Sequence, residues 1–274
     1  MSSKGITMRR LIVLAFVLIA WEVLPRAGVI NPLFIPPFSR VASALGSMTV
    51  NGQLPTHTLI SLRRAMTGLL AGLIFGLPLG FLLGGWFPRT QEAVEPLMAL
   101  FAQANPLILF HVVMLFLGVG EMTKTFIIGW LCLWPITFST ITGVKAADPL
   151  LLKTARSFGL GRLALFLRVT LPASAPSIFT GLRLSAGYAF IMLVAAEMMG
   201  ASSGLGWLVI QFQESYDATH IFAAALVITL LAVGTDSLLK LLGGRFLLPA
   251  GSAAEDYVRL TGGKGEKLPA PSGT

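Results

Sequence analysis

Six apolar runs, separated by polar segments, constrain the fold of this chain more than any other feature. They cover about residues 11–26, 61–86, 94–119, 123–144, 176–199 and 221–242. A helix needs about 20 predominantly apolar residues to cross the hydrocarbon core of a bilayer. Charged residues make up only 12% of the chain, whereas soluble domains have roughly 25%. The sequence therefore predicts an all-α membrane protein with six transmembrane helices.

The distribution of basic residues predicts the orientation of these helices. If the N-terminus is inside, fourteen Lys and Arg residues fall on the inner side and five on the outer side. Basic residues gather in the cytoplasmic loops of membrane proteins. We therefore expect a cytoplasmic N-terminus (residues 1–10), a transmembrane domain (11–245) and a cytoplasmic, partly disordered tail (246–274). Glu22 and Arg26, four residues apart at the outer end of the first run, are expected to pair.

The second run carries glycine at every fourth position. These glycines are Gly68, Gly72, Gly76, Gly80 and Gly84. Small residues at this spacing form one ridge of a helix and let a neighbouring helix approach closely. The ridge predicts tight helix packing and has no chemical role of its own.

Polar residues at membrane depth are costly and suggest a pathway for a solute. Gln103 and Asn105 flank a break in the third run at Pro106, and His111 follows shortly after. Such a break is tolerated where it lines a cavity or is buried in protein, and both interpretations stay open for these three residues. Glu197 lies at the outer end of the fifth run, where a charge is inexpensive, and is a fourth candidate for the pathway.

Two further features of the fifth and sixth runs have competing interpretations. Gly200, Gly204 and Gly206 follow Glu197 and form either a moving gate or an ordinary flexible loop. Arg183 and Asp236 can neutralise each other across a helix interface, or Asp236 can pair with Lys240 at i+4. A structural role for this group is favoured over a pathway role.

The sequence contains no pattern typical of a catalytic or cofactor site. It has no G-x-x-x-x-G-K-[ST] nucleotide loop, its three histidines are scattered, and it has no metal-ligand spacing and no nucleophile with a base. We therefore expect a chain that is not an enzyme and binds no metal or cofactor. Membrane orientation accounts for the net charge of +8 without nucleic acid. A gradient-driven secondary transporter would show an internal repeat and midplane carboxylates, and a membrane enzyme would show clustered titratable groups.

The stretch from Lys145 to Pro172 is basic and helical between two apolar runs. Asp148-Pro149 predicts a helix start, and Gly159 is placed to end that helix. A second short helix is expected over 162–168, broken by Leu171-Pro172. On its residues alone, such a segment is an interfacial anchor or a docking surface that presents Phe158.

The spacing within this stretch resembles the cytoplasmic EAA motif of bacterial ABC-importer permeases. Ala155, Gly159, Leu171 and Pro172 match its fixed positions, whereas Lys153 and Thr154 replace its glutamate and first alanine. Segments 177–183 and 196–206 further resemble the branch that imports nitrate, sulfonates, taurine and bicarbonate. The resemblance implies that the segment couples the permease to an ATPase through Lys153, Ala155, Arg156, Phe158, Gly159, Arg162, Leu171 and Pro172.

The same resemblance implies the type I importer fold, with one added N-terminal helix and a five-helix core, in a bacterial inner membrane. It implies a second permease copy, most simply a homodimer, and two ATPase subunits that hold ATP and Mg²⁺. A periplasmic or lipid-anchored binding protein would deliver a small anionic solute such as nitrate or taurine. Membrane lipid would surround the assembly.

Overall fold

The computed structural model describes the backbone of residues 3–159 and 161–261, and the side chains of residues 8, 9, 12–159 and 161–243. This part of the chain is helical and contains no strand. The helices are α1 (Ser3–Arg26), α2 (Phe38–Val50), α3 (Gln53–Phe81), α4 (Pro88–Ala102), α5 (Pro106–Leu117), α6 (Glu121–Lys145), α7 (Pro149–Ser157), α8 (Arg162–Leu165), α9 (Leu171–Gly200), α10 (Leu205–Glu214) and α11 (Ala218–Thr261). π-Helical turns at Leu82–Trp86 and Phe166–Thr170 extend α3 and join α8 to α9.

Four helical runs in this part of the chain are long and apolar enough to cross a membrane. They are Gln53–Trp86, Glu121–Lys145, Arg162–Gly200 and Ala218–Gly243. The helices α4 and α5 pass the same test as a pair but meet at an angle of 88°, as in a broken span or a re-entrant loop. The prediction of an all-α membrane fold is confirmed for the described residues.

The glycine ridge of α3 packs directly on α6, as its spacing predicts. A Cβ atom added to Gly72 would lie 2.6 Å from Cys132 Cβ, and one added to Gly80 would lie 2.5 Å from Thr140 Cβ. Only glycine leaves room for two backbones this close. Because the residue numbers rise together along the contact, α3 and α6 run parallel. The chain between them must therefore return from the end of α3 to the start of α6, and α4 and α5 make that return.

The helix α9 packs antiparallel to α6 and completes the core. Gly143 of α6 lies against Ser174, and Gly181 of α9 lies against Ser139, so small residues again allow a close approach. The core cluster draws on α3, α5, α6 and α9. The most apolar window of α6 is 61% buried, whereas that of α11 is only 11% buried. The helix α6 is therefore the centre of the chain, and α11 lies at its edge.

Several helix boundaries differ from those expected from the apolar runs. The helix α3 begins at Gln53 rather than near residue 61, and α4 begins at Pro88, within the polar segment that separates the second and third apolar runs. Proline is compatible with the first turn of a helix, since the N–H that it lacks has no partner there. An apolar run does not mark such helix starts, because their first turns contain polar residues.

One expectation for the C-terminal half is wrong. The pair Leu171-Pro172 does not break the helix, because the preceding π-helical turn passes straight into α9 and places Pro172 in its first turn. Residues 246–261 of the expected tail form helical backbone at the end of α11, and partial disorder of the tail stays a prediction. The remainder of the expected tail, 262–274, lies outside the described residues.

Candidate functional site

The segment between α6 and α9 forms two short helices around an exposed turn. Asp148 caps α7 by accepting a hydrogen bond from the Leu150 N–H at 2.7 Å, with Pro149 in the first turn. The helix ends at Ser157, Phe158 is its C-cap, and Gly159 follows with a φ of +78°, which favours glycine. The predicted start and end of this helix are confirmed.

Phe158 is the most exposed large apolar side chain of the turn. Its side chain is 80% exposed, although burying an aromatic ring would be favourable. Lys153, Arg156 and Arg162 of the same segment are exposed as well, whereas Ala155 and Leu171 are half-buried. An exposed aromatic ring on a segment with exposed basic side chains is typical of a surface that docks onto another protein.

This turn is connected to the opposite end of the molecule by one continuous helical run. The run from Arg162 to Gly200 contains 39 residues and therefore spans about 60 Å at a rise of 1.5 Å per residue. Glu197 lies on its last turn. A displacement of the basic turn can thus reach Glu197 without crossing a loop.

Glu197 is the centre of a buried polar cluster at the far end of α9. Its side chain is 1% exposed. One carboxylate oxygen accepts from Arg64 Nη1 at 2.8 Å, and both accept from the Ser61 hydroxyl at 2.8 and 2.9 Å. Glu197 lies near the end of α9, as expected, but α3 and the glycine-rich loop bury it, so hydrogen-bond and ionic partners rather than solvent stabilise its charge.

Arg64 extends the cluster to α6. It donates to both Glu121 carboxylate oxygens, at 2.6 and 2.5 Å, and Lys124 Nζ donates to Glu121 at 3.1 Å. Arg64 and Lys124 are each 4% exposed. Two cations and two carboxylates thus balance one another, with Glu121 half exposed and the other three side chains buried. Such pairing is the condition under which buried charge is tolerated.

The glycine-rich loop is held by the same cluster. The Gly206 N–H donates to Glu197 at 2.8 Å, the Leu205 N–H donates to Ser61 at 2.8 Å, and the Gly204 N–H donates to His57 at 2.9 Å. Gly204 has a φ of +118°, and a Cβ atom there would lie 2.5 Å from a Glu197 carboxylate oxygen. The loop is therefore fixed in this conformation, and Gly200 forms the last residue of α9 rather than part of the loop.

The other candidate pathway residues are not near this cluster. Gln103 follows the end of α4, and Asn105 caps α5 by accepting from the Leu107 N–H at 3.0 Å. His111 contacts the Leu107 carbonyl at 2.9 Å through Nδ1. All three side chains are exposed in the single chain. Their assignment to a pathway stays a prediction.

Asp236 of α11 pairs with both residues that the sequence offered as alternatives, Arg183 of α9 and Lys240. Arg183 Nε donates to Asp236 at 2.9 Å, and Lys240 binds the second carboxylate oxygen. Glu22 and Arg26 pair at 2.5 Å, as predicted. Within the described residues, no group of three or more His, Cys, Asp or Glu side chains could hold a metal ion.

Sequence reasoning missed most of the Glu197 cluster. The sequence analysis assigned no site to four of its members, Ser61, Arg64, Glu121 and Lys124. Ser61 and Arg64 are three residues apart and therefore share a helix face, and so do Glu121 and Lys124. This spacing was the signal that the sequence offered. Glu197 lies more than 130 positions from Ser61 and Arg64 in the chain, so a local sequence pattern could not connect it to them.

Comparison with known proteins agrees with this architecture. Residues 76–247 match the family model described as "Binding-protein-dependent transport system inner membrane component". A probable ABC transporter permease protein of Brucella melitensis is 33% identical over 220 residues, which cover 80% of this chain and 88% of that protein. The taurine transport system permease protein of Escherichia coli is 31% identical over 224 residues, covering 80% and 81% of the two chains.

A solved structure shares the fold at lower sequence identity. A chain of the inward-facing MetNI methionine ABC transporter superposes with a TM-score of 0.57 at 17% identity, covering 69% of this chain and 92% of that chain. The resemblance first carried by the motif around Gly159 is therefore confirmed. The chain belongs to the family of binding-protein-dependent transport system inner membrane components and is a permease subunit of an ABC importer.

Proposed function

We propose that this permease works as one of two identical subunits, imports a small anion, and takes its energy from separate ATPase subunits that dock at the turn around Phe158. The continuous helical run from this turn to Glu197 is the observation that carries the proposal. A shift of the docked turn moves α9 as one body and so acts on the loop that Glu197 holds.

The same proposal includes six transmembrane helices with both termini in the cytoplasm. The parallel packing of α3 and α6 supports this number, because the chain between them must return across the bilayer once through α4 and α5. The helix α1 would add the sixth span. This orientation places the turn around Phe158 in the cytoplasm and the Glu197 cluster near the outer surface of a bacterial inner membrane.

The Phe158 side chain provides the test of ATPase docking. Full burial of a phenylalanine contributes about 1.5–3 kcal/mol, so Phe158→Ala should weaken association with the ATPase about 10- to 100-fold. Co-purification of the two subunits and ATP hydrolysis in proteoliposomes measure the effect. Phe34→Ala is the matched control, because Phe34 is 70% exposed and lies on the outer side in the proposed orientation. Unchanged association in Phe158→Ala would contradict the proposal.

The anionic solute is supported by the taurine permease among the relatives and by a low content of acidic residues, with 12 Asp and Glu in the whole chain. Delivery by a binding protein outside the membrane follows from the family description. Thermal shift of that binding protein with taurine, an alkanesulfonate or nitrate tests the class of solute. Stabilisation by one of these anions is expected, and a response to neutral or cationic solutes alone would contradict it.

A further inference from the structure

A cavity lies beside the basic turn, and Phe158 does not line it. It has a volume of about 730 Å³ and lies between the end of α3 and the short helices α7 and α8. Arg156 and Arg162 line it, and none of the described residues in its wall is acidic. Neither arginine forms an ion pair with a described residue. The cavity therefore has two available positive charges.

The remaining wall is aromatic and apolar. Trp86 and Phe166 stack with ring centroids 5.4 Å apart, and Phe81 meets Phe166 edge-on at 4.9 Å. Gly84 and Gly85 leave the α3 wall without side chains. Both π-helical turns of the described chain, Leu82–Trp86 and Phe166–Thr170, contribute to this wall. Such turns occur frequently at functional sites.

We propose that this cavity binds the headgroup of an anionic phospholipid from the cytoplasmic leaflet. The inference rests on the proposed orientation, which puts the end of α3 at the depth where headgroups lie. Basic pockets between transmembrane helices on the cytoplasmic side are suited to anionic headgroups. Aromatic rings with apolar walls match the glycerol and the first methylene groups of the chains. A small inorganic anion would leave most of the cavity empty.

The test compares lipids added to the full permease purified with its ATPase. Phosphatidylglycerol should raise the melting temperature, whereas phosphatidylcholine and inorganic phosphate should not. Each arginine near an anionic surface is worth about 1 kcal/mol, which corresponds to about fivefold in affinity. Arg156→Gln and Arg162→Gln should each weaken the apparent affinity for phosphatidylglycerol about fivefold, and both together about 25-fold.

Two further variants separate the cavity from general surface charge and from ATPase docking. Arg168→Gln is the matched control, because Arg168 is exposed on the same segment but does not line the cavity. The apparent affinity of this variant for phosphatidylglycerol should be unchanged. Gly85→Leu keeps both arginines but narrows the cavity, and a Cβ atom there would make only an ordinary 3.7 Å contact with Val144. It should reduce the melting-temperature shift caused by phosphatidylglycerol. Arg156 and Arg162 also belong to the predicted coupling segment, so co-purification with the ATPase is measured for each arginine variant as well. Phe158→Ala should lose ATPase association and retain the lipid shift, so failure of docking and failure of lipid binding are distinguishable.

Tryptophan fluorescence measures directly whether the bound lipid lies in this cavity. Brominated phosphatidylglycerol should quench Trp86, so Trp86→Phe should remove the quenching specific to this lipid. An unchanged shift in the double arginine variant, or undiminished quenching in Trp86→Phe, would overturn the proposal. An equal shift with inorganic phosphate would also overturn it, because the occupant would then be a soluble anion.

Discussion

At the scale of single residues, Arg64 and Glu197 form the one described salt bridge in which both side chains are almost completely buried. Both are almost completely buried, and Arg64 also holds Glu121 and the Ser203 carbonyl, the latter at 2.5 Å. Removing one member of a buried pair leaves the other charge without compensation and costs about 3–5 kcal/mol.

Replacement of Glu197 by alanine should therefore destabilise the permease by about 3–5 kcal/mol. The double variant Arg64→Ala with Glu197→Ala should lose less than the sum of the single losses, because neither charge is then left behind. Thermal unfolding in detergent measures both. Glu214→Ala, an exposed carboxylate at the end of α10, should change little. Additive losses in the double variant would contradict the coupling.

The loop after Glu197 gives a second prediction at this scale. Gly204→Ala combines an unfavourable positive φ with a clash against the Glu197 carboxylate. Gly28→Ala has a φ of +74° but open space around its Cβ position, so it isolates the backbone strain of about 1–2 kcal/mol. Transport in proteoliposomes should fall at least tenfold in Gly204→Ala and only slightly in Gly28→Ala. Equal losses in both would show that contact with Glu197 is unimportant.

At the scale of helices, the contact between α3 and α6 depends on glycine at several successive turns. Gly72→Leu should prevent the helices from approaching and lower the melting temperature strongly, by a loss of more than about 3 kcal/mol. Gly46 on α2 has open space around its Cβ position, so Gly46→Leu is the matched control and should be tolerated. Circular dichroism during thermal unfolding measures the difference. Similar melting temperatures for the two variants would contradict close packing at Gly72.

The same scale shows what sequence could and could not predict. The ridge at Gly68–Gly84 was predicted because one periodic pattern implies one packed face. The bend at Asn105-Pro106 was recognised only as a break, although it has the same cap-then-proline signature as Asp148-Pro149 and in fact starts α5. The helix α10 was missed because the glycines and serines before it concealed its start. The Glu197 cluster was missed because three separate helices and a loop must come together to form it.

At the scale of the whole molecule, several apolar surfaces of the single chain have no partner among the described residues. Leu115 and Phe116 at the end of α5 are 83% and 80% exposed. They precede the turn between α5 and the first turn of α6. We expect the second permease copy to cover this surface.

A cysteine at position 116 should therefore cross-link two copies with a short thiol reagent. The native Cys132 is the only cysteine and is fully buried, so it should not react. Phe75→Cys places a thiol on the exposed face of α3, where Phe75 is 67% exposed, and serves as the control. Gel electrophoresis after cross-linking in native membranes should show a dimer for Phe116→Cys alone. A dimer in the control alone would place the second copy against α3.

The close packing of α3, α6 and α9 has a mechanical consequence. Where helices approach closely at glycine and serine, the side chains between them have little room to tilt and absorb a displacement. The compliance of the single chain is therefore low across these three helices, and it is concentrated where packing is sparse, at α11 and at the bend between α4 and α5. A displacement of the basic turn would then cause little deformation within these helices. Most of the movement should reach the boundary between the two copies.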